Sequence, residues 1–144
     1  MIAYLDASAL VKRYLVERRS RETVELTAES EMTATSIVSR AEVAAALAKA
    51  ARTGLVTLDV ARSAHRLFAG EWQDFVRVAV TEALVERAAT LAWEHGLRGY
   101  DAIQLASALT WQESFGEEIV LATFDQQLWD AAKHTGLTPW PEEF

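Results

Sequence analysis

The sequence contains no cysteine, and this absence excludes disulfide bonds and metal sites with thiolate ligands. No apolar run is long enough to cross a membrane, because charged residues interrupt each run within a few positions. The N-terminal stretch MIAYLDAS also lacks the basic segment and the apolar run of a secretion signal. We therefore expect a folded, cytoplasmic protein.

Basic residues are in deficit, with 14 lysines and arginines against 21 aspartates and glutamates and a net charge of −7. This balance argues against a protein that coats nucleic acid by charge alone. It is compatible with an acidic protein that binds divalent cations, because bound cations invert the local sign of the charge. The length of 144 residues and the apolar fraction of 51% predict one folded domain over residues 1–144.

Apolar patterns of two kinds alternate along the chain. Most of the short runs are continuously apolar, as expected for strands that are buried on both faces of a sheet. Strands are predicted at residues 2–6, 32–36, 75–80, 118–124 and 137–140. Helices are predicted between them, at residues 8–15, 20–28, 40–53, 57–74, 82–96, 102–109 and 125–136. This alternation predicts an α/β fold whose parallel sheet carries helices on both faces.

Four carboxylates stand where such a fold forms sites. Asp6 and Asp125 follow predicted strands, whereas Glu42 and Asp101 stand in the first turns of apolar helices. Each has an ordinary structural explanation, since aspartate caps helices and an acid in the first turn interacts favourably with the helix dipole. Parallel strands, however, bring their carboxyl ends to one edge of the sheet, where sites form near the topological switch point. We therefore expect the four side chains, here called the acidic quartet, to converge there.

A converged quartet predicts a cation site. Like charges that are held together raise one another's pKa unless cations neutralise them. Hard oxygen ligands without cysteine favour Mg²⁺ or Mn²⁺, and a pair of such ions can hold both the attacking and the leaving oxygen of a phosphodiester. Ser8 and Thr123 are candidates for donors that orient Asp6 and Asp125.

Other kinds of site have weaker support. The three histidines lie on separate predicted helices without ligand spacing, and the chain has no glycine-rich phosphate loop and no nucleophilic triad. A phosphoryl-transfer enzyme or a phospho-accepting receiver also places an aspartate at a strand end, but the segment after Phe124 has no lysine before Lys133. A non-catalytic interaction module on the same fold is the alternative that metal binding would decide against.

The segments YLDASAL, RAEV, GYDAIQLASAL and LATFDQQL carry the quartet, and in this order they resemble the PIN domain, most of all the single-domain VapC-type ribonuclease toxins of VapBC toxin–antitoxin systems. The resemblance implies a doubly wound α/β/α sandwich with a mainly parallel sheet of about five strands. It implies an endoribonuclease that depends on Mg²⁺ or Mn²⁺ and acts as the toxin of a type II toxin–antitoxin system. Carried over residue by residue, the family's acidic positions match Asp6, Glu42, Asp101 and Asp125, and its small hydroxyl positions match Ser8 and Thr123.

The resemblance also implies partners. A VapB-like antitoxin and a homodimer are expected, and contact with DNA is expected only through the antitoxin. RNA is the expected substrate, with four candidate phosphate contacts near the quartet in sequence: Lys12, Arg13, Arg40 and Arg98. Each of these is equally well explained as a solvated surface charge.

The antitoxin is expected to pack on an apolar groove of the early helices. The candidate contacts are Leu10, Tyr14, Leu15, Leu67, Phe68 and Trp72. Any one of these residues is equally well explained as an ordinary core residue. The spacing of Trp93, by contrast, predicts a position that faces the core.

Overall fold

A computed structural model describes all residues 1–144, and at its centre lies a five-stranded sheet in which every pair of neighbours is parallel. The strands are β1 (Ile2–Leu5), β2 (Met32–Ser36), β3 (Val76–Val78), β4 (Val120–Ala122) and β5 (Thr138–Trp140). Their order is β3-β2-β1-β4-β5, so the chain first winds outward from β1 in one direction and then returns to its other side. The topological switch point therefore lies between β1 and β4.

Seven helices cover the two faces of this sheet. They are α1 (Ala7–Val11), α2 (Ser20–Glu29), α3 (Ser39–Arg52), α4 (Leu58–Glu71), α5 (Glu82–His95), α6 (Gly99–Phe115) and α7 (Gln126–His134). One hydrophobic core joins the sheet to α1–α4, and a second core joins it to α5–α7. The prediction of a doubly wound α/β/α sandwich with a parallel sheet is confirmed.

Strand β1 explains why the buried strands read as continuous apolar runs. Ile2 and Tyr4 pack in the core under α5–α7, whereas Ala3 and Leu5 pack in the core under α1–α4. Both alternating faces of the strand are therefore apolar. Burying a leucine side chain such as Leu5 contributes about 2 kcal/mol to stability, so this strand anchors both layers.

The ends of several helices follow from local chemistry. Thr81 caps α5 with its side chain, and Gly96 ends it in the left-handed conformation with φ = +63°. Val38 stands at the N-cap position of α3 and makes no side-chain capping bond. The hydroxyl of Ser39 is buried among polar partners described below.

The first helix is shorter than predicted, because α1 ends at Val11 rather than at residue 15. The amides of Arg13 and Tyr14 bond to carbonyls three residues earlier, which tightens the chain into a turn. This turn directs Leu15 into the core of the α1–α4 layer.

Most of the residues predicted to line an antitoxin groove are buried in the core instead. The turn after α1 and the packing of α4 bury four of the six candidates, namely Leu10, Leu15, Phe68 and Trp72. Trp93 is also misassigned, since it is 91% exposed and lies two positions beyond Leu91, on the opposite face of α5. No helix combines the length and the apolar character that crossing a bilayer requires.

Candidate active site

Asp6 is the most deeply buried member of the acidic quartet. It directly follows β1 and is 3% exposed. Its Oδ1 accepts hydrogen bonds from the Ser8 hydroxyl at 2.7 Å and from the Ala9 amide at 3.0 Å, and its Oδ2 accepts from the Thr123 hydroxyl at 2.6 Å. Burial raises the pKa of Asp6 to about 6, against the lowering effect of these donors. The carboxyl group is thus fixed in orientation and disfavoured as a bare anion.

Asp125 stands just beyond β4, at the neighbouring strand end. It caps α7, because its Oδ1 accepts from the Leu128 amide at 2.9 Å. Its own amide donates to the Thr123 hydroxyl at 3.1 Å, the same hydroxyl that donates to Asp6. Ser8 forms a second connection between the two strand ends, since its hydroxyl accepts a hydrogen bond of 2.9 Å from the Phe124 amide. Two hydroxyl side chains therefore join the carboxyl ends of β1 and β4.

Glu42 enters the site from the first turn of α3 and is half-buried. Its Oε1 accepts a hydrogen bond of 2.7 Å from the amide nitrogen of Gln104, a buried residue of α6. Burial raises the pKa of Glu42, and the charge of Asp101 adds to this rise. Gln104 is not among the predicted site residues, and its only signal in the sequence is an amide side chain within an otherwise apolar helix.

Asp101 stands in the first turn of α6, with a side chain that is 13% exposed. Burial raises its pKa, and the charge of Asp125 raises it further. The guanidinium of Arg98 partly offsets both effects, because its Nε lies 3.2 Å from Asp101 Oδ2 and its Nη2 lies 3.4 Å from Asp125 Oδ2. Arg98 thus bridges two carboxylates with a single positive charge.

The acidic quartet forms an electrostatic series along the carboxyl edge of the sheet. The negative charge of Glu42 raises the pKa of Asp6, that of Asp101 raises the pKa of Glu42, and that of Asp125 raises the pKa of Asp101. Each acid therefore interacts electrostatically with the next one, around the switch point between β1 and β4. No three histidine, cysteine, aspartate or glutamate side chains stand close enough together to form a ready-made metal-holding group.

The chemistry of these residues fits a hard divalent cation. The donors that converge are carboxylate oxygens, which suit Mg²⁺ or Mn²⁺. Arg98 already acts as a stand-in cation between Asp101 and Asp125, which demonstrates that this pair accepts a shared positive charge. Ser8 and Thr123 orient Asp6 as partners of a ligand do in built metal sites.

The four basic candidates differ in what they contact. Lys12 donates to Glu17 at 3.2 Å and to a backbone carbonyl, and Arg13 pairs with Glu71 at 3.6 Å. Arg40 takes part in no salt bridge, and its guanidinium lies 5.9 Å from the ring centre of Trp72. Arg98 is the most exposed of those that form ion pairs, at 77% of its side chain, and it alone contacts members of the quartet.

A small cleft opens beside the quartet between α1 and α3. It has a volume of about 370 Å³ and is open to solvent. Glu42, Ser8 and Lys12 line it together with the ring of Phe124. The Lys12 amine lies 4.5 Å from the centre of that ring, so the cleft joins an acid, a cation and an aromatic face.

Comparison with known proteins agrees with this geometry. The family model described as "PIN domain" matches residues 3–134. The chain therefore belongs to the PIN-domain family. It is 34% identical to Ribonuclease VapC45 of Mycobacterium tuberculosis (strain CDC 1551 / Oshkosh), over 99% of this chain and 96% of that protein, and equally similar to Ribonuclease VapC49 of Mycobacterium tuberculosis (strain ATCC 25618 / H37Rv).

Solved structures share the fold. PAE2754 from Pyrobaculum aerophilum superposes with a TM-score of 0.66 at 27% identity, covering 96% of this chain and 83% of that one. VapBC2 from Rickettsia felis, bound to a DNA fragment from its promoter, superposes with a TM-score of 0.61 at 15% identity, covering 96% and 97% of the two chains.

Proposed function

We propose that this protein is a metal-dependent endoribonuclease that acts as the toxin of a type II toxin–antitoxin system, with residues 1–144 working as one PIN domain. The observation that carries the proposal is the set of four carboxylates at the switch point of a parallel sheet, where Thr123 joins Asp6 to Asp125 and Arg98 bridges Asp101 and Asp125. Membership of the PIN family and the similarity to Ribonuclease VapC45 support the choice of RNA as substrate. RNA as substrate also favours a cytoplasmic location.

The proposed roles follow from the contacts. Asp6 and Asp101 are the principal ligands, with Glu42 and Asp125 completing the set, and Mg²⁺ or Mn²⁺ is the ion. When bound, a divalent cation neutralises phosphate charge and promotes ionisation of the attacking water. Of the protein's own groups, Ser8 and Thr123 hold Asp6 in one orientation by donating to both of its oxygens. Glu42 and Asp125 complete the set directly or through water, and one of these two accepts the proton of the attacking water.

The test of this function is cleavage of RNA by the purified protein. We expect cleavage with Mg²⁺ or Mn²⁺, loss of cleavage when EDTA removes the ion, and recovery when excess metal is restored. The Asp101→Asn variant is expected to stay inactive at every metal concentration that supports the wild type. Cleavage that persists in EDTA would contradict metal dependence, and a protein that neither binds metal nor cleaves RNA would be the non-catalytic module instead.

We propose that Arg98 holds RNA phosphate, because cation binding by Asp101 and Asp125 would free its guanidinium from these carboxylates. We expect Arg98→Ala to bind Mn²⁺ more tightly than the wild type, because a competing positive charge is gone. In the inactive Asp6→Asn background, the same change is expected to weaken binding of every RNA sequence and to reduce the salt slope by about one phosphate contact. Metal titration and RNA binding across a salt series measure the two effects.

Arg21 offers a matched control for Arg98. It is an exposed arginine that pairs with Glu25 on α2, away from the quartet. Arg21→Ala is expected to leave both the metal affinity and the salt slope unchanged. Equal salt slopes for the two variants would show that Arg98 does not hold RNA, and the role would pass to Arg40, to Lys12 and Arg13 after release of their internal partners, or to the metal.

The proposed partner is a VapB-like antitoxin, which would mediate any contact with DNA, and the proposed assembly contains a toxin homodimer. The surface that we assign to the antitoxin is a groove of about 600 Å³ between α3 and α4, here called the α3–α4 groove. Alanines and leucines form its floor, and His65 and three arginines line it: Arg52, Arg62 and Arg66. None of these arginines takes part in a salt bridge.

The α3–α4 groove fits an amphipathic segment with acidic side chains. Its apolar floor matches the apolar face of such a segment, and its unpaired arginines match carboxylates on the flanks. Leu55 and Leu58, which are 71% and 53% exposed where α4 begins, extend the apolar surface at one end. The groove thus replaces the contact set that the sequence analysis proposed.

A further inference from the structure

The buried amide of Gln104 connects the quartet to the centre of the protein. Gln104 lies on α6 and is 1% exposed. Its Nε2 donates to Glu42 Oε1 at 2.7 Å and to the Ser39 hydroxyl at 2.9 Å, and its Oε1 accepts from the Tyr4 hydroxyl at 2.6 Å. One side chain therefore joins a helix on one face of the sheet to strand β1 and to a helix on the other face.

The partners of Gln104 fix which way its amide points. A carboxylate only accepts hydrogen bonds, so the nitrogen must face Glu42. The oxygen then faces Tyr4, whose buried phenol has a pKa raised by desolvation and stays a donor. The amide has no second orientation that satisfies both partners, and Glu42 is held in one place.

A second chain of hydroxyl bonds fixes the other side of the network. The buried hydroxyl of Thr35 donates to the carbonyl of Leu5 and lies 2.7 Å from the hydroxyl of Ser39. Leu5 immediately precedes Asp6, so the network spans from the backbone of one quartet residue to the side chain of another. The relative positions of Asp6 and Glu42 are therefore set by buried hydrogen bonds rather than by exposed side chains.

We propose that Gln104 is a positioning residue that holds the Glu42 carboxylate in place for cation binding and RNA cleavage. It touches neither substrate nor the reacting atoms in this proposal, and it acts only through Glu42. The inference rests on the proposed function for the role of Glu42, while the hydrogen-bond network itself belongs to this chain.

The test compares the Gln104→Leu variant with a leucine variant of another glutamine on the same helix. We expect Gln104→Leu to weaken the apparent Mn²⁺ affinity by about 10-fold or more, as loss of a partner that orients a ligand does in metal sites. We also expect saturating Mn²⁺ to restore most of the lost cleavage, because the ligand is misplaced rather than absent. Mn²⁺ binding measured by electron paramagnetic resonance gives a readout that does not depend on activity.

Gln112 is the matched control. It lies on the same helix, α6. Its amide oxygen accepts a hydrogen bond from the backbone amide of Ile119, so it supports the fold without contacting the quartet. Gln112→Leu is expected to keep wild-type Mn²⁺ affinity, even if thermal stability falls. Equal losses of Mn²⁺ affinity in the two variants would show that Gln104 supports the fold only and would overturn the inference.

A second variant keeps the inference testable if Gln104→Leu does not fold. Tyr4→Phe removes only the hydroxyl that orients the amide and retains the ring in the core. We expect it to fold and to show a smaller loss of Mn²⁺ affinity in the same direction. Wild-type affinity in Tyr4→Phe, when Gln104→Leu is unfolded or also unaffected, would overturn the inference.

The outcomes separate this inference from the proposed function. A wild type whose Mn²⁺ affinity depends on Gln104 but which cleaves no RNA would contradict the nuclease and leave the positioning role supported. A wild type that binds Mn²⁺ and cleaves RNA, together with variants of unchanged affinity and activity, would overturn the role of Gln104 alone.

Discussion

Replacing Asp6 by asparagine is expected to abolish RNA cleavage and, at the same time, to stabilise the protein freed of metal. The loss of cleavage is expected to be at least about 100-fold, because removal of a ligand exceeds the loss of a residue that only orients one. The gain in stability follows from burial, which raises the pKa of Asp6 from 3.8 to about 6 and so disfavours its anion in the folded state. Cleavage assays and thermal melts in EDTA measure the two effects.

The stabilising effect has a defined dependence on pH. Below about pH 4 the carboxyl group is protonated in both states, and its full contribution to stability is present. As the pH rises towards 6, the unfolded chain loses its proton first, so the contribution falls by about 3 kcal/mol by pH 7. Asp6→Asn lacks this loss, and its melting temperature at pH 7.5 in EDTA is expected to exceed that of the wild type by about 10 °C.

Asp59 provides the control, because it is an exposed acid in the first turn of α4. Asp59→Asn removes a favourable interaction with the helix dipole, so the melting temperature is expected to fall slightly while cleavage stays normal. The assignment of Asp6 fails if Asp6→Asn cleaves RNA at the wild-type rate. The burial argument fails if the melting temperature of this variant at pH 7.5 is not above that of the wild type.

Reversing two charges in the α3–α4 groove is expected to release the antitoxin. We expect Arg62→Glu combined with Arg66→Glu to weaken binding of the antitoxin by about 100-fold, because like charges then face its acidic segment. The double variant is expected to cleave RNA normally but to escape inhibition by the antitoxin. Titration calorimetry with the protein encoded by the neighbouring reading frame measures the affinity.

Arg21→Glu is the matched charge reversal outside the groove, on α2. It is expected to leave antitoxin binding unchanged. Unaltered affinity in the double groove variant would contradict the assignment of this surface, and a loss of RNA cleavage in it would indicate a role in the catalytic site instead of in partner binding.

The positions of Asp6 and Asp125 at strand ends could be predicted because they follow from one rule of parallel sheets. Short apolar runs predict the strands, and the carboxyl ends of parallel strands lie at the same edge of the sheet. Both residues also cap helices, so the capping explanation and the site explanation describe the same side chains. A residue that stands between the end of a strand and the start of a helix can both cap that helix and face the proposed site.

Gln104 and the α3–α4 groove could not be predicted in the same way. The partners of Gln104 are 62, 65 and 100 residues away in sequence, and helical periodicity says only that the position is buried. The burial of candidate contacts such as Leu15 could not be predicted either, because the turn after α1 that directs it inward depends on tertiary contacts rather than on spacing. Periodicity predicts which face of a helix or strand is buried, but it does not identify the residues that pack against that face.

The pairing of β1 with β4 makes the order of folding matter for function. Asp6 and Thr123, which hydrogen-bond across this pair, are 117 residues apart in the chain. Contacts between such distant segments form late, because closing a long loop costs entropy before the contact rewards it. A chain in which β4 has not yet docked beside β1 holds Asp6 without the hydroxyl of Thr123 and without Asp125 nearby. The proposed nuclease site is therefore complete only after β4 has paired with β1.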